Sequence, residues 1–159
     1  LNGWSGVSVE PESQTFRALK NNYRRFGDRS EQLIAVLDTY EHFVTFYENG
    51  QLSSISQDHM DRWEQHRIEN NAKWDPVTHY AITLDKVLTN YIDKQFKFIS
   101  IDTEGKNLDL VRTTNWNLAE HCELICIEHD QDQDSIAACM APYGFKEYAL
   151  TPVNIIMSR

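Results

Sequence analysis

The segment at residues 98–128 constrains the fold of this chain more than any other part. It reads FISIDTEGKNLDLVRTTNWNLAEHCELICIE: an apolar run ends in Asp102 and Glu104, a short amphipathic helix follows, and a second apolar run ends in Glu128. Two buried strands that each deliver carboxylates at their C-terminal ends are typical of the ligand-binding edge of an open α/β sheet. The segment therefore predicts a functional site at that edge.

The rest of the chain alternates between predicted strands and predicted helices. Phe16, Leu19, Tyr23 and Phe26 recur at helical spacing, which predicts the buried stripe of a helix that Gly27 closes. Predicted strands cover residues 6–10, 32–37, 43–47, 52–55, 78–83, 96–102, 122–128, 145–150 and 153–158, and predicted helices cover 11–26, 58–73, 84–91, 108–116 and 135–143. This order predicts an α/β fold with one Rossmann-like, mostly parallel sheet, helices on both faces and a C-terminal antiparallel hairpin. We expect a single domain over residues 1–159.

Composition excludes several classes of protein. Apolar residues make up 41% and charged residues 25% of the chain, as in ordinary globular proteins, and the net charge of -9 argues against nucleic-acid binding. No apolar run is long enough to span a membrane. The odd number of cysteines (Cys122, Cys126 and Cys139) has no zinc-type spacing, which predicts free thiols, no metal centre and a cytoplasmic location.

Acidic side chains follow most of the predicted strands. Ligands of open α/β sheets bind outside the carboxyl ends of the strands, where such groups can bind hydroxyls or a divalent metal, or act as a base. Glu10 closes a strand directly before Pro11, which is the usual position of the carboxylate that holds ribose hydroxyls in nucleotide-binding sheets. The candidate residues are Glu10, Asp38, Asp102, Glu104, Glu128, His129 and Asp130.

An ordered set of short stretches runs through nearly the whole chain. It comprises Gly-Trp-Ser-Gly at 3–6, Val-Glu-Pro at 9–11 with Phe16, Leu19 and Asn22 after it, Phe-Tyr at 46–47, Ser-Ser at 53–54, Thr-Leu-Asp at 83–85, Ile-Asp-Thr-Glu-Gly at 101–105, Leu-Ile-Cys-Ile-Glu at 124–128, Tyr-Gly-Phe at 143–145 and Asn-Ile-Ile at 154–156. This set resembles FkbM-type methyltransferases, which are class I enzymes that use S-adenosylmethionine. The specificity of the resemblance lies in the order of the stretches, because Asp-x-Glu-Gly alone is a weak motif.

The resemblance implies a Rossmann-like sheet and methyl transfer from S-adenosylmethionine to a hydroxyl of a small-molecule acceptor. By the same resemblance, Glu10 matches the residue that contacts the ribose hydroxyls, and Asp38 falls where the adenine ring is usually bordered. Asp102 and Glu104 match the catalytic Asp-x-Glu-Gly motif that faces donor and acceptor. Family members carry a first strand and a glycine-rich cofactor loop before the Gly-Trp stretch. The sequence is therefore expected either to be truncated before that first strand or to fill the slot with another segment, for which the strand at 78–83 and a strand from a second copy are the candidates.

The resemblance favours an O-methyltransferase, in which Asp102, Glu104 or His129 would supply the base. Two alternatives to this function remain open. One is a non-catalytic, methyltransferase-like domain that forms a homodimer, since an open strand edge favours self-association by strand addition. The other is a metal-dependent hydrolase that uses Asp102, Glu104, Glu128 and His129, whose oxygen-rich set would suit Mg²⁺ or Mn²⁺.

Overall fold

The computed structural model describes residues 3–159, and Leu1 and Asn2 lie outside the described residues. The chain divides into two compact units, Leu1–Ile82 and Thr83–Arg159, which we call unit 1 and unit 2. The mixed α/β class is confirmed. The described strands form three sheets, however, where the sequence predicted one mostly parallel sheet.

Unit 1 contains two of these sheets. Its strands are β1 (Gly6–Val9), β2 (Ser30–Leu33), β3 (Val36–Leu37), β4 (His42–Glu48) and β5 (Asp75–Ile82), its helices are α1 (Ser13–Tyr23) and α2 (Gln57–Glu69), and 3-10 helices cover Arg24–Arg29 and Gly50–Leu52. Strands β1 and β2 are parallel, while β5 lies between a parallel β3 and an antiparallel β4. The strand predicted at 32–37 is thus split, because its first half pairs with β1 and its second half with β5.

The strand predicted at 52–55 is also wrong. A 3-10 helix covers Gly50–Leu52, and in place of a strand the described residues form a single antiparallel bridge between Tyr47 and Ser54. Strand β4 instead pairs along its whole length with β5, from His42 opposite Ala81 to Glu48 opposite Asp75. The longer ladder satisfies more backbone groups than a short hairpin would.

Helix α1 does not bury the apolar stripe that its spacing predicted. None of its described residues is buried, and Tyr23 is 40% exposed. Tyr23 and Phe26 instead contact each other at the end of the helix, with ring centroids 5.6 Å apart. The buried cluster of unit 1 comes from the sheet of β3, β4 and β5, where Val36, Phe46 and Ala81 pack together.

Unit 2 contains a four-stranded sheet and three helices. Its strands are β6 (Phe98–Ile101), β7 (Leu124–Glu128), β8 (Lys146–Leu150) and β9 (Asn154–Ser158), its helices are α3 (Leu84–Asn90), α4 (Asn107–Thr113) and α5 (Gln133–Met140), and 3-10 helices cover Ile92–Lys94, Trp116–Ala119 and Ala141–Tyr143. The sheet order is β6-β7-β9-β8, with β6 and β7 parallel and the other pairs antiparallel. The predicted C-terminal antiparallel hairpin is confirmed as β8 and β9.

The core of unit 2 follows the alternation of its central strands. Ile125 and Ile127 of β7, together with Ile155 and Met157 of β9, are 0–1% exposed. Complete burial of each such side chain contributes about 1.5–3 kcal/mol. Strand β6 was expected to be buried, but it is the edge strand of this sheet, and Phe98 is 44% exposed.

Candidate active site

The parallel register of β6 and β7 brings two acidic positions to the same level of the sheet. Ile101 pairs with Ile127, so Asp102 and Glu128 follow at the carboxyl ends of neighbouring strands. Side chains of adjacent parallel strands at one level point to the same face, and that face alternates along the strand. The buried isoleucines therefore lie on the core face, and the two carboxylates that follow them come together at the edge.

Glu104 joins this pair through the turn after β6. Carboxylate oxygens of Asp102, Glu104 and Glu128 all lie within 4.8 Å of one another. The backbone of Glu104 (φ 50°) and Gly105 (φ 97°) is left-handed, a conformation that costs energy for a residue with a side chain. Asp102 is exposed, whereas Glu104 and Glu128 are half-buried. Such a group could accept a proton, bind hydroxyls or hold a divalent cation.

Asn107, the first residue of α4, links the loop after β6 to the loop after β7 through side-chain hydrogen bonds. Its side chain is buried, with 1% exposed. Oδ1 accepts hydrogen bonds from the backbone N–H and the hydroxyl of Thr103, each at 2.9 Å, and Nδ2 donates to Glu128 at 3.1 Å and to Asp130 at 2.9 Å. One amide thereby uses both of its donor hydrogens and both acceptor positions.

The environment of Glu128 favours its protonated form. Its pKa is raised from 4.5 to about 7, chiefly by partial burial and then by the charge of Asp102, a hydrogen bond with Asp102 and the charge of Asp130. The hydrogen bond from Asn107 acts in the opposite direction, because it stabilises the charged carboxylate. A carboxyl group with a pKa near 7 can exchange protons at neutral pH.

His129 is occupied by structural contacts. The backbone N–H of Gln131 donates to Nδ1 at 3.1 Å, which leaves the proton on Nε2, 3.3 Å from the carbonyl oxygen of Thr151. The ring is buried, with 8% exposed. These contacts weaken its candidacy as the base of the reaction or as a metal ligand.

Glu10 lies directly after β1, as predicted, and is half-buried. Its Oε1 accepts a hydrogen bond from the backbone N–H of Glu12 at 2.8 Å. Burial raises the pKa of Glu10, the hydrogen bond from Glu12 opposes that increase, and the Glu12 charge adds to it. A carboxylate offers about four acceptor positions, so Glu10 retains capacity for hydroxyl donors.

Asp38 follows β3 and is 7% exposed. Its Oδ1 accepts from the backbone N–H of Thr39 at 2.7 Å, and its Oδ2 lies 3.7 Å from Nε2 of His42. These contacts give Asp38 a role in the turn before β4. Glu10 and Asp38 belong to unit 1, whereas Asp102, Glu104 and Glu128 belong to unit 2.

The family model of the methyltransferase FkbM domain matches residues 1–147. The chain belongs to this family. The match includes the Asp-Thr-Glu-Gly turn at 102–105, so the carboxylate group of unit 2 lies in the part of this FkbM domain that carries the predicted motif. No curated protein and no solved structure matches the chain significantly.

FkbM methyltransferases generally use S-adenosylmethionine, and the residues of unit 1 fit part of that requirement. Glu10 is half-buried and has acceptor positions for ribose hydroxyls, as the resemblance implied. Asp38 fits less well, because its carboxylate is buried and used within its own turn. No helix in the described part of this FkbM domain is long and apolar enough to cross a membrane.

A cavity of about 410 Å³ lies in unit 1 of the FkbM domain beside α2. Trp74 lines this cavity, and its Nε1 donates to Glu64 at 3.3 Å, whereas Trp63 is 40% exposed and contacts His66 on its own helix. The full lining is Tyr47, Gln57, Met60, Asp61, Glu64 and Trp74.

Sequence reasoning missed two features of this FkbM site. It did not single out Asn107, whose importance depends on partners up to 23 residues away in the chain. It named Glu128 as one of seven strand-end candidates and as a residue of the hydrolase alternative, but it assigned catalysis to Asp102 and Glu104. The one sequence signal for a link between Asp102 and Glu128 is that each stands at the end of an apolar run, whereas their pairing follows from the register of β6 and β7.

Proposed function

We propose that this chain catalyses methyl transfer from S-adenosylmethionine to a hydroxyl oxygen of a small-molecule acceptor. The observation that carries the proposal is the match to the FkbM methyltransferase domain over residues 1–147. The carboxylate group of Asp102, Glu104 and Glu128 supports it, because methyl transfer to a hydroxyl needs positioning and a proton acceptor.

The cofactor, when bound, supplies a methyl group that is activated by the positive charge of its sulfur. In our proposal, Glu10 holds the ribose hydroxyls and Asp38 borders the adenine ring. Asp102 and Glu104 orient the acceptor hydroxyl at the edge of the sheet. The turn after β6, which carries both carboxylates, suits this role because the pairing of β6 with β7 limits how far the turn can move.

Isothermal calorimetry with S-adenosylhomocysteine tests the proposal. We expect the unchanged protein to bind, and Glu10→Ala to weaken binding by about tenfold or more, since the carboxylate would accept hydrogen bonds from two hydroxyls. Asp28→Ala is the matched control, because Asp28 is an exposed carboxylate in the same unit. The absence of any binding heat from the folded, unchanged protein would refute the function.

Other parts of the interpretation stay predictions with measurements of their own. Light scattering tests the homodimer and with it the non-catalytic, self-associating alternative, which a strictly monomeric protein would exclude. Metal analysis of the purified protein tests the hydrolase alternative, which the occupied ring nitrogens of His129 already weaken. The single-domain organisation, the absence of nucleic-acid and membrane partners and the cytoplasmic location also remain predictions.

A further inference from the structure

The buried amide of Asn107 links the two loops that carry the carboxylates of unit 2. We propose that Asn107 is a positioning residue that holds Glu128 as the carboxylate which takes the proton from the acceptor hydroxyl. The proposal deepens the methyltransferase function proposed above and rests on it. It adds Glu128 to the catalytic residues and gives Asn107 a role that acts through Glu128.

The geometry of Asn107 favours one orientation of its side chain. A half-turn of the amide would point Nδ2 at the backbone N–H of Thr103 and Oδ1 at the carboxylates of Glu128 and Asp130, so that three of the four hydrogen bonds would become repulsive contacts, while the Thr103 hydroxyl could still accept. With 1% of the residue exposed, water cannot replace the lost partners. Asn107 therefore keeps one oxygen of Glu128, Oε2, at a fixed place.

Three acidic side chains lie close to Glu128. Asp102 and Glu104 approach it from the turn after β6, and Asp130 approaches from the loop after β7. These neighbours and partial burial give Glu128 a pKa of about 7, while the donor hydrogen of Asn107 favours the charged form. Asn107 thus limits the increase in pKa, and Glu128 stays able to accept a proton near neutral pH.

The proposed step balances in atoms and charge. The acceptor oxygen forms a bond to the methyl carbon, while the carbon–sulfur bond of the sulfonium donor breaks with its electron pair on sulfur. The hydroxyl proton passes to a carboxylate oxygen of Glu128. The positive charge of the donor and the negative charge of Glu128 both disappear, and the products are a methyl ether or ester, a neutral thioether and a protonated Glu128.

Carboxyl ¹³C NMR of the full chain, without cofactor, measures the titration of Glu128 directly. We expect a midpoint of about 7 in the unchanged protein. We expect the side-chain amide signals of Asn107 to shift with the same midpoint, because Nδ2 donates to the titrating carboxylate. Asn107→Leu, which is uncharged and similar in volume, should raise the midpoint further, whereas Asp102→Asn should lower it by removing the charge that raises it most.

Thr103→Val is the matched control, because it removes only the hydroxyl donor to Oδ1 and leaves the Nδ2 contacts in place. We expect it to leave the Glu128 midpoint unchanged. A Glu128 midpoint near 4.5 would overturn the proposal, as would a folded Asn107→Leu variant with no change in midpoint. If Asn107→Leu does not fold, the amide signals of the unchanged protein decide, since amide signals that do not shift across pH 7 would overturn it equally.

The calorimetric experiment separates this proposal from the function on which it rests. A protein that fails to bind S-adenosylhomocysteine refutes the methyltransferase function, whatever the NMR midpoint. Binding of S-adenosylhomocysteine together with an unshifted Glu128 refutes the role of Asn107 and Glu128 alone. We expect both binding and a shifted midpoint, and Glu128→Gln should change the affinity for S-adenosylhomocysteine by less than about twofold, because Glu128 is assigned to the acceptor.

Discussion

The side-chain amide of Asn107 lies 3.1 Å from Oε2 of Glu128, and the same nitrogen lies 2.9 Å from Asp130. One neutral donor group therefore serves two carboxylates at the end of one strand. It does so beside the exposed Asp102, whose charge contributes to the raised pKa of Glu128. This arrangement predicts a pH-dependent contribution of Glu128 to stability and, under the proposed function, to the rate of methyl transfer.

Replacement of Glu128 by glutamine should increase stability at high pH. The native pKa of about 7 exceeds the ordinary value of 4.5, so folding takes up a proton between these pH values and the free energy of unfolding falls as pH rises through them. Glu128→Gln removes this loss, and its stability relative to the unchanged protein should increase by about 1–2 kcal/mol between pH 4 and pH 8, after allowance for solvent screening. Urea denaturation at a series of pH values measures the difference.

The control variant for this experiment is Glu123→Gln, whose stability should change with pH in the opposite direction. A hydrogen bond from Lys97 at 2.7 Å lowers the pKa of Glu123, so Glu123 contributes stability above its ordinary pKa that is lost as pH falls. Glu123→Gln should therefore lose stability, relative to the unchanged protein, at neutral pH more than at acidic pH. Equal slopes for the two variants would contradict both assignments.

The same Glu128→Gln variant should lose methyl transfer without losing the cofactor. Glutamine cannot take up the hydroxyl proton, and removal of a general base typically reduces rates by about 10²–10⁴-fold. Release of S-adenosylhomocysteine, measured with a panel of hydroxyl compounds, gives the rate. In the unchanged protein the rate should rise with pH and level off above about 7, where Glu128 is deprotonated.

Trp116→Phe should destabilise unit 2 although it keeps an aromatic ring. Trp116 is fully buried, and its Nε1 donates to the carbonyl oxygen of Val111 at 2.9 Å. Loss of the hydrogen bond and the void left by the smaller ring should together lower the free energy of unfolding by about 2–3 kcal/mol. Trp63→Phe on α2 is the control, because Trp63 is 40% exposed and its replacement should cost less than about 0.5 kcal/mol.

Cys122 should react more slowly with alkylating reagents than the other cysteines. All three cysteines carry free thiols, but Cys122 is buried, whereas Cys126 and Cys139 are half-buried. Burial raises the pKa of the Cys122 thiol, which further reduces the reactive thiolate. Mass spectrometry after iodoacetamide treatment at pH 8 should show Cys122 modified last in the native protein. Equal rates at all three thiols before unfolding would contradict the burial of Cys122.

Elements with a strong local signal could be predicted from the sequence. Thr83 directly precedes the helix predicted at 84–91, and its side chain accepts from the backbone N–H of Lys86 at 3.1 Å. Gly144 directly follows the helix predicted at 135–143, and it adopts the left-handed conformation (φ 86°) that favours glycine at such ends. Such signals are readable because they depend on neighbours within about one helical turn.

Elements that depend on distant partners could not be predicted. Nothing local marks the break between β2 and β3, because it arises from two different pairing partners, β1 and β5. The spacing of Phe16 and Phe26 correctly indicated a helix but not how little of it is buried. Burial depends on what packs against a helix, which periodicity alone does not specify.

By itself, the sequence determined the family of this chain, the strands at both ends of residues 98–128 and the acidic positions that follow them. Only the tertiary structure decided that Asp102 and Glu128 share one level of a parallel pair and that Asn107 orients the second of them. The reason is physical: apolar periodicity acts along the chain, whereas register, burial and the interactions that shift a pKa act between residues distant in sequence. The sequence therefore identified the carboxylate residues, whereas the raised pKa of Glu128 could be inferred only from its neighbours in the structure.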